Sequence, residues 1–101
     1  METVLNLADI PLTDLSEIDK TGFAPSEVFN RVEDIRVRRT NLDKAAVLAN
    51  NLKFKIRVVY VDKLMLYKKI ECHIRSVNNH GILIEGGATV PLHCIYSADI
   101  L

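Results

Sequence analysis

The sequence of 101 residues predicts an α+β fold in which an N-terminal helix packs on a small, closed, five-stranded antiparallel β-barrel. Two observations predict the barrel: apolar residues alternate along residues 54–101, and Gly, Asn and Asp interrupt that stretch at short intervals. A third observation, helical spacing of apolar residues between positions 28 and 49, predicts the helix. The length fits one domain, with residues 1–25 as an acidic, aliphatic N-terminal segment, docked or partly ordered, and residues 26–101 as helix plus barrel.

Composition and charge narrow the classes of function. Hydrophobic residues make up 49% of the chain and aromatic residues only 6%, so aliphatic side chains must fill the core and some apolar surface is left for a partner. The formal net charge is zero, which argues against binding nucleic acid by charge alone. Residues 1–19 lack Lys and Arg whereas residues 31–57 are predominantly basic, and the two regions could neutralise each other.

The sequence also indicates a compartment. The N-terminus has no basic region followed by an apolar run, as a signal peptide would, and no apolar run is long enough to span a membrane. Cys72 and Cys94 both lie inside apolar strand patterns. We therefore expect a cytoplasmic protein without a membrane partner, in which both cysteines are buried and reduced.

The N-terminal segment, residues 1–25, holds more aliphatic residues than a disordered tail would. Pro11, Gly22 and Pro25 interrupt any long element in it. We expect the segment to dock either on its own domain, which is the simpler hypothesis, or on another chain.

A helix is predicted from about residue 26 to residue 50. Ser26 is the candidate N-cap, and Glu27 lies in the first turn, where it favours the helix dipole. The stripe of apolar residues at helical spacing consists of Val28, Val32, Ile35, Leu42, Ala46 and Ala49. A break near Thr40, which would cap a second helix, is the alternative to one continuous helix. The opposite, charged face includes Arg31, Arg38 and Lys44, and such a face is typically solvated.

Five strands are predicted after the helix. In the first, residues 54–61, the inward positions are Phe54, Ile56, Val58 and Tyr60, and the outward positions are Lys55, Arg57, Val59 and Val61. Asp62 and Lys63 predict a turn, and the apolar residues that follow it indicate a covered surface. The second strand, residues 70–77, is long and expected to bend, with Ile70, Cys72 and Ile74 inward and Glu71, His73 and Arg75 outward.

The last three strands are bounded by turn residues. Residues 78–81, Asn-Asn-His-Gly, predict a tight turn before a third strand at 81–85, and Gly86-Gly87 predicts the turn before a fourth strand at 88–95. Residues 96–101 form a short fifth strand that can close the barrel against the first. Five short strands with one long, bent member are typical of an SH3-like barrel.

Residues 41–101 resemble Sm-like proteins, the family that includes the RNA chaperone Hfq. The strongest local similarity is at residues 93–97, His-Cys-Ile-Tyr-Ser, which resemble the His-x-Ile-Ser ending of that family's second motif. The resemblance implies an Sm-like barrel with His93 at an RNA-contacting position, although Leu92 stands where that family has a lysine. Residues 86–93, Gly-Gly-Ala-Thr-Val-Pro-Leu-His, also resemble a group of short uncharacterised bacterial proteins, which implies the same small barrel and no activity.

The sequence offers no pattern for catalysis or metal binding. Neighbouring residues of a strand point to opposite faces, so Cys72 and His73 cannot share a metal site, and no Cys-x-x-Cys or His-x-x-x-His spacing occurs. No pair of acidic residues suits acid–base chemistry, and Gly86-Gly87 lacks the helix start of a phosphate loop. We therefore expect no enzyme activity, cofactor, metal or small-molecule substrate.

Two function classes remain. The favoured one is a non-catalytic small-barrel module for protein interaction or homo-oligomerisation, with a contact surface at Leu64, Met65, Leu66, Val59 and Val61. The alternative is an Sm-like or Hfq-like RNA-binding protein that uses one basic sheet face, made of Lys55, Arg57, His73, Arg75 and His93. Single-strand binders add aromatic platforms to such a face, and here only Tyr67 and Tyr96 are available for that role.

Overall fold

The chain contains helices and β-strands, as the sequence predicts, but their number and bounds differ from the prediction. The computed structural model describes residues 7–52 and 54–101, and for residue 7 and residues 49–52 it describes the backbone alone. The helices are α1 (Ile18–Thr21) and α2 (Val32–Leu52); the strands are β1 (Ile56–Val61), β2 (Tyr67–Cys72), β3 (Ile74–Val77), β4 (Gly81–Ile84), β5 (Thr89–Pro91) and β6 (Ile95–Ile100). Single 3-10 turns lie at Leu7–Asp9, Leu15–Glu17 and Leu92–Cys94.

The strands form two antiparallel sheets of three strands each rather than one closed barrel. The first sheet has the order β2-β1-β6, and the second has the order β3-β4-β5. Within residues 7–52 and 54–101, no ladder joins a strand of one sheet to a strand of the other. The prediction of a closed, five-stranded SH3-like or Sm-like barrel is therefore wrong, and the fold is α+β with two sheets.

Two interruptions of the predicted strands explain this difference. The long second strand divides at His73, so that β2 belongs to the first sheet and β3 to the second. At this break the His73 backbone is bonded to Glu85, which donates its amide to the His73 carbonyl at 3.0 Å and accepts the His73 amide on Oε1 at 3.1 Å. The fourth strand ends at Pro91, because the turn Leu92–Cys94 returns the chain to the first sheet.

Helix α2 begins later than predicted. It starts at Val32 and not at Ser26, because residues 27–29 are bonded elsewhere. The Glu27 carboxylate accepts the amide of Phe29, and the amide of Val28 donates to the His93 carbonyl at 2.9 Å. These bonds hold Val28 against the distant turn Leu92–Cys94, so residues 27–29 lie in the loop before α2. The helix then continues unbroken past Thr40 to Leu52, so the prediction of one continuous helix is confirmed.

The buried stripe of α2 also differs from the predicted one. Leu42, Ala45 and Ala46 are buried, but Val32 is 71% exposed. Arg38, which the pattern placed on the solvated face, is only 7% exposed. A buried guanidinium needs partners, and those partners are described with the candidate site below.

Strand β1 is the centre of the first sheet and is covered on both faces. Val59 and Val61, which the alternation placed outward, are 0% and 4% exposed. The expectation that they form outer surface is therefore corrected. The main core, which α2 and the two sheets share, includes Leu42, Ala45, Ile56, Val58, Tyr60, Ile70, Ile82, Ile84 and Val90.

The N-terminal segment lies along the first sheet of its own chain. The Thr13 amide donates to the Lys69 carbonyl at 2.7 Å, and the Lys69 amide donates to the Pro11 carbonyl at 3.1 Å. Farther along, the Ala24 amide donates to the Val61 carbonyl at 3.0 Å. Residues 11–24 thus dock in cis, by backbone hydrogen bonds as well as by packing; the predictions for residues 1–6 lie outside the described residues.

Candidate functional site

The turn between β1 and β2 is held by one buried carboxylate. Asp62 is 2% exposed, and its Oδ1 accepts the amides of Leu64 and Leu66, each at 2.9 Å. Its backbone completes the turn, since the Asp62 amide donates to the Leu66 carbonyl at 2.9 Å and its carbonyl accepts the Met65 amide at 3.0 Å. Asp favours this arrangement because its short side chain can accept from amides a few residues ahead. The turn therefore has one defined backbone conformation.

This turn holds three consecutive aliphatic side chains in solvent. Leu64, Met65 and Leu66 are 69%, 59% and 52% exposed. Met65 has φ 63°, in the left-handed region that side chains other than those of Gly, Asn and Asp rarely adopt. Such a conformation costs of the order of 1–2 kcal/mol and persists because the surrounding bonds require it. Exposed aliphatic side chains on a constrained turn are the most distinctive feature of the described surface.

An aromatic row continues from this turn across the first sheet. Tyr67, the first residue of β2, is 37% exposed, and its ring meets that of Tyr96 edge-on, with centroids 5.4 Å apart and an interplanar angle of 85°. Tyr96 in turn lies 5.6 Å from the ring of Phe29. The Tyr67–Tyr96 contact is favourable because the positive edge of one ring faces the negative face of the other, whereas the Phe29 and Tyr96 rings are tilted by 44°.

We call the combined feature the apolar–aromatic surface. Its members are Leu64, Met65, Leu66, Tyr67, Tyr96 and Phe29. It joins the turn after β1, the start of β2, the start of β6 and the loop before α2. Three separate segments of the chain therefore contribute side chains to it: residues 64–67, Tyr96 and Phe29.

An ion pair between the buried Arg38 and the partly exposed Glu27 fixes the Phe29 end of this surface. The two guanidinium NH groups of Arg38 donate to the two carboxylate oxygens of Glu27 at 2.7 and 2.6 Å, and one also donates to the Ile95 carbonyl at 3.2 Å. The guanidinium carbon lies 5.1 Å from the Phe29 ring centroid, within range of a cation–π contact. Arg38 therefore connects α2, the preceding loop and β6.

Glu27 titrates accordingly. Burial raises the pKa of its carboxyl, but hydrogen bonds from the Arg38 side chain and the Phe29 amide, together with the Arg38 charge, outweigh burial and lower the pKa overall. The carboxylate form is thus the one that the folded chain stabilises. The two-point geometry explains the direction, because a forked guanidinium binds an ionised carboxylate better than a neutral carboxyl.

The predicted contact residues are divided by the structure. Leu64, Met65 and Leu66 lie on the apolar–aromatic surface, whereas Val59 and Val61 are buried and contribute nothing to it. Sequence reasoning missed Phe29 and the Glu27–Arg38 pair, and it considered Tyr96 only as an aromatic platform for RNA. The eleven-residue separation of that pair is much larger than the three or four residues at which helical side chains contact each other, so it gave no signal. Asp62 did give one, because Asp at the start of a turn is a known pattern.

The five basic residues predicted for RNA binding do not share one face. Lys55 lies just before β1; Arg57 lies within β1 and is paired with Glu71 at 3.1 Å. His73 lies at the break between the two sheets, and Arg75 lies in β3 on the second sheet. His93 lies in the turn before β6, and its Nε2 bonds to the Ala24 carbonyl at 2.6 Å. The structure therefore distributes these residues over both sheets and the connections between them.

The two cysteines are buried and free, as expected. Burial raises the pKa of both thiols to about 12, chiefly because the thiolate would lose its solvation. Each thiol is therefore protonated near neutral pH, and a protonated thiol is a poor nucleophile and a poor metal ligand. Among the described residues, no group of three or more His, Cys, Asp and Glu is arranged to hold a metal ion, and no helix has the length and hydropathy to cross a bilayer.

Comparison with known proteins adds no further information on the site. No protein-family model matches the chain, and no match was found among the curated proteins or the solved structures.

Proposed function

We propose that this chain is a non-catalytic protein-interaction module that binds another protein, or a second copy of itself, through the apolar–aromatic surface. The observation that carries the proposal is the turn after β1, where the buried Asp62 holds Leu64, Met65 and Leu66 outward. Apolar area in solvent is unfavourable, and a constrained turn cannot fold its side chains back to escape water. The cost is recovered when a partner covers these side chains.

Rigidity also favours binding. A contact residue that is already ordered loses less conformational entropy on association, so more of the interaction energy appears as affinity. The Asp62 bonds order the turn, and the Glu27–Arg38 pair orders the Phe29 end of the surface. Tyrosine is enriched among the residues that dominate interface energies, and aromatic residues and Met are enriched at interfaces in general, which fits Tyr67, Tyr96 and Met65.

The absence of catalysis is part of the same proposal. It is supported by the burial of Cys72 and Cys94, the two strongest potential nucleophiles among the described residues, and by their raised pKa values. Arg57 and Arg38 are each bound to a carboxylate and do not converge on a common substrate position.

A capture experiment with matched variants tests the proposal. The triple variant Leu64→Ser, Met65→Ser and Leu66→Ser removes the apolar turn, while Val32→Ser with Val47→Ser removes aliphatic side chains of similar exposure, 71% and 58%, from α2. Each immobilised protein is incubated with native cell extract, and the bound proteins are quantified by mass spectrometry. We expect a partner, or the chain itself, whose capture falls tenfold or more only in the triple variant, on the order of the loss when anchors are truncated.

Two controls make a negative result interpretable. Thermal unfolding of each variant shows whether the fold is retained, and light scattering shows whether wild-type self-association depends on the turn. Equal capture by wild type and triple variant would contradict the proposal. Bound nucleic acid, seen as a raised ratio of absorbance at 260 to 280 nm that high salt abolishes, would favour the RNA alternative instead.

A further inference from the structure

A groove runs between α2 and the outer strand of the first sheet. It consists of two cavities of about 220 and 300 Å³ that share Asn41, Ala98 and Asp99 in their linings. Asp34 and Val37 lie at one end of the groove, and Leu48 lies at the other. We refer to it below as the α2–β6 groove.

The strand edge that faces this groove has backbone groups without ladder partners. The Leu101 amide donates to the Lys55 carbonyl at 2.9 Å, so the backbone groups of Leu101 point toward β1. Because successive residues of a strand direct their backbone groups to opposite sides, those of Ile100 and Ala98 point away from β1. Within the described chain, no hydrogen bond outside the ladder uses the backbone of Ala98 or Ile100.

The groove also has a charge and an apolar pattern. Asp34 and Asp99 form no ion pair with a described residue, and Arg57, which lies opposite Asp99 in the β1–β6 register, is bound to Glu71 instead. Arg38 lines the Asp34 end but is paired with Glu27, and Lys44 lines only the Leu48 end. The unpaired negative charge of the groove therefore lies at Asp34 and at Asp99, which both cavities share. Val37 and Leu48, on the helix side, are 56% and 40% exposed.

We propose that the α2–β6 groove binds an extended, basic segment of a partner protein, which adds as a further strand to the edge of β6. The partner's backbone bonds to Ala98 and Ile100, its apolar side chains contact Val37 and Leu48, and a Lys or Arg lies against Asp34 and Asp99. Backbone pairing supplies affinity in strand addition, and the flanking side chains supply specificity. The open edge from Tyr96 to Ile100 is roughly 13 Å long, which fits about four or five extended residues.

This site is separate from the contact made by the turn after β1. The proposed function requires Leu64, Met65 and Leu66, none of which lines the α2–β6 groove. Phe29 and Tyr96 lie where the apolar–aromatic surface and the groove meet, so one partner can occupy both. Variants of the turn and variants of the groove nevertheless distinguish the two proposals.

Amide hydrogen exchange of the full ¹⁵N-labelled chain tests the strand addition. The probe is an acetylated and amidated heptapeptide of alternating Val and Lys. At a peptide concentration ten times the dissociation constant, we expect exchange at Ala98 and Ile100 to slow about tenfold, because only the unbound fraction exchanges. The same peptide with Glu in place of Lys, and one with N-methylated backbone amides, should give no protection.

Variants locate the contact. Asp34→Lys with Asp99→Lys should weaken binding of the Val-Lys peptide tenfold or more, whereas Glu33→Lys, on the same turn of α2 but outside the groove lining, should leave it unchanged. Ala98→Pro removes the edge donor without removing a ladder bond; if it does not fold, the N-methylated peptide makes the same test. The triple Ser variant of the turn should bind the peptide as wild type does.

Several results would overturn the strand-addition proposal. One is an absence of protection at ~1 mM peptide, near the weak limit of specific binding. Another is protection confined to the amides of Leu64, Leu66 and Tyr67. A third is binding of the Glu peptide or the N-methylated peptide as tight as that of the Val-Lys peptide. Protection of Ala98 and Ile100 that grows with protein concentration in the absence of peptide would also overturn it, because a second copy would then occupy the edge.

Discussion

The two outer strands of the first sheet differ in how the backbone groups along their outer edges are bonded. Strand β2 is bonded along its outer edge to residues 11–13, through the Thr13 amide and the Pro11 carbonyl, which both bond to Lys69. Strand β6 has a groove beside its edge, and the backbone groups of Ala98 and Ile100 bond to no described residue there. The same sheet thus has one edge closed by its own chain and one that is open.

The difference shows how this fold manages exposed strand edges. An unpaired edge is a template for pairing with another chain, so most proteins block it. Here the segment 11–13 blocks β2 by the same backbone pairing that we propose for a partner at β6. Helix α2 lies beside β6 but offers side chains rather than backbone groups, so it restricts access to the edge without satisfying it.

The largest expected effect is on the β6 side, at Arg38. Replacing Arg38 with Ala leaves Glu27 partly buried without its counter-charge and removes the donor to the Ile95 carbonyl, so we expect a loss of about 3 kcal/mol in the free energy of unfolding. Urea denaturation measures it. Arg36→Ala, an exposed position on the same helix, is the matched control and should change stability by less than about 0.5 kcal/mol. Similar values for both variants would show that the pair does not anchor β6 to α2.

A second prediction concerns pH and the same ion pair. The folded-state pKa of Glu27 lies below its ordinary value, so its contribution to stability is complete above that ordinary value and is lost as pH falls through the folded-state pKa. Glu27→Gln should therefore cost about 2 kcal/mol near neutral pH, and wild type and variant should converge in acid.

Glu33→Gln is the control for this pH dependence, because Glu33 is exposed and its stability difference should be small at every pH. Unfolding by urea at a series of pH values gives the comparison. A wild-type advantage over Glu27→Gln that stays constant in acid would mean that the carboxylate charge does not stabilise the fold.

A third prediction concerns a variant that should open the closed edge of β2. Thr13→Pro removes the amide that donates to Lys69, so it should cost about 1.5 kcal/mol and increase hydrogen exchange at the Lys69 amide. Proline is compatible with extended backbone at the preceding residue. Both this variant and Thr13→Ala lose the Thr13 hydroxyl that bonds to the Tyr60 side chain, so the difference between the two variants reports the loss of the amide donor. Thr13→Ala keeps the amide and is the matched control. If both variants leave exchange at Lys69 unchanged, residues 11–13 do not protect β2.

Several elements of this sheet could be predicted from the sequence because their determinants are local. The strand at β1, the turn at Asp62 and the apolar Leu64–Leu66 cluster follow from neighbouring residues, and the structure contains all three. The sequence predicts a covered surface for the cluster, whereas in this chain it is exposed. Strand alternation failed at Val59 and Val61, since periodicity reports which face a side chain takes but not what covers that face. Coverage depends on β1 being the central strand, which is a property of the whole topology.

The remaining features depend on contacts between residues far apart in sequence. Arg38 is buried because Glu27 and the Ile95 carbonyl surround it, and neither is within the three or four residues at which helical neighbours contact each other. The late start of α2 has the same origin, because the Val28 amide bonds to His93 in a distant turn. The predicted second strand divides at His73, whose amide bonds to Glu85, the residue after β4. Strand propensity does not predict this contact.

The smallest expected effect is a difference in stability between two variants of Met65, in the turn before β2. Met65 has φ 63°, so Met65→Gly relieves backbone strain while it removes the side chain, whereas Met65→Ala removes the side chain and keeps the strain. We expect the Gly variant to be more stable than the Ala variant by about 1 kcal/mol, as measured by urea denaturation. In helices and strands the order is the reverse, because Gly is less favourable there than Ala. Equal stabilities would mean that the bonds from Asp62 do not constrain the turn, and the rigidity that favours binding at Leu64, Met65 and Leu66 would then be absent.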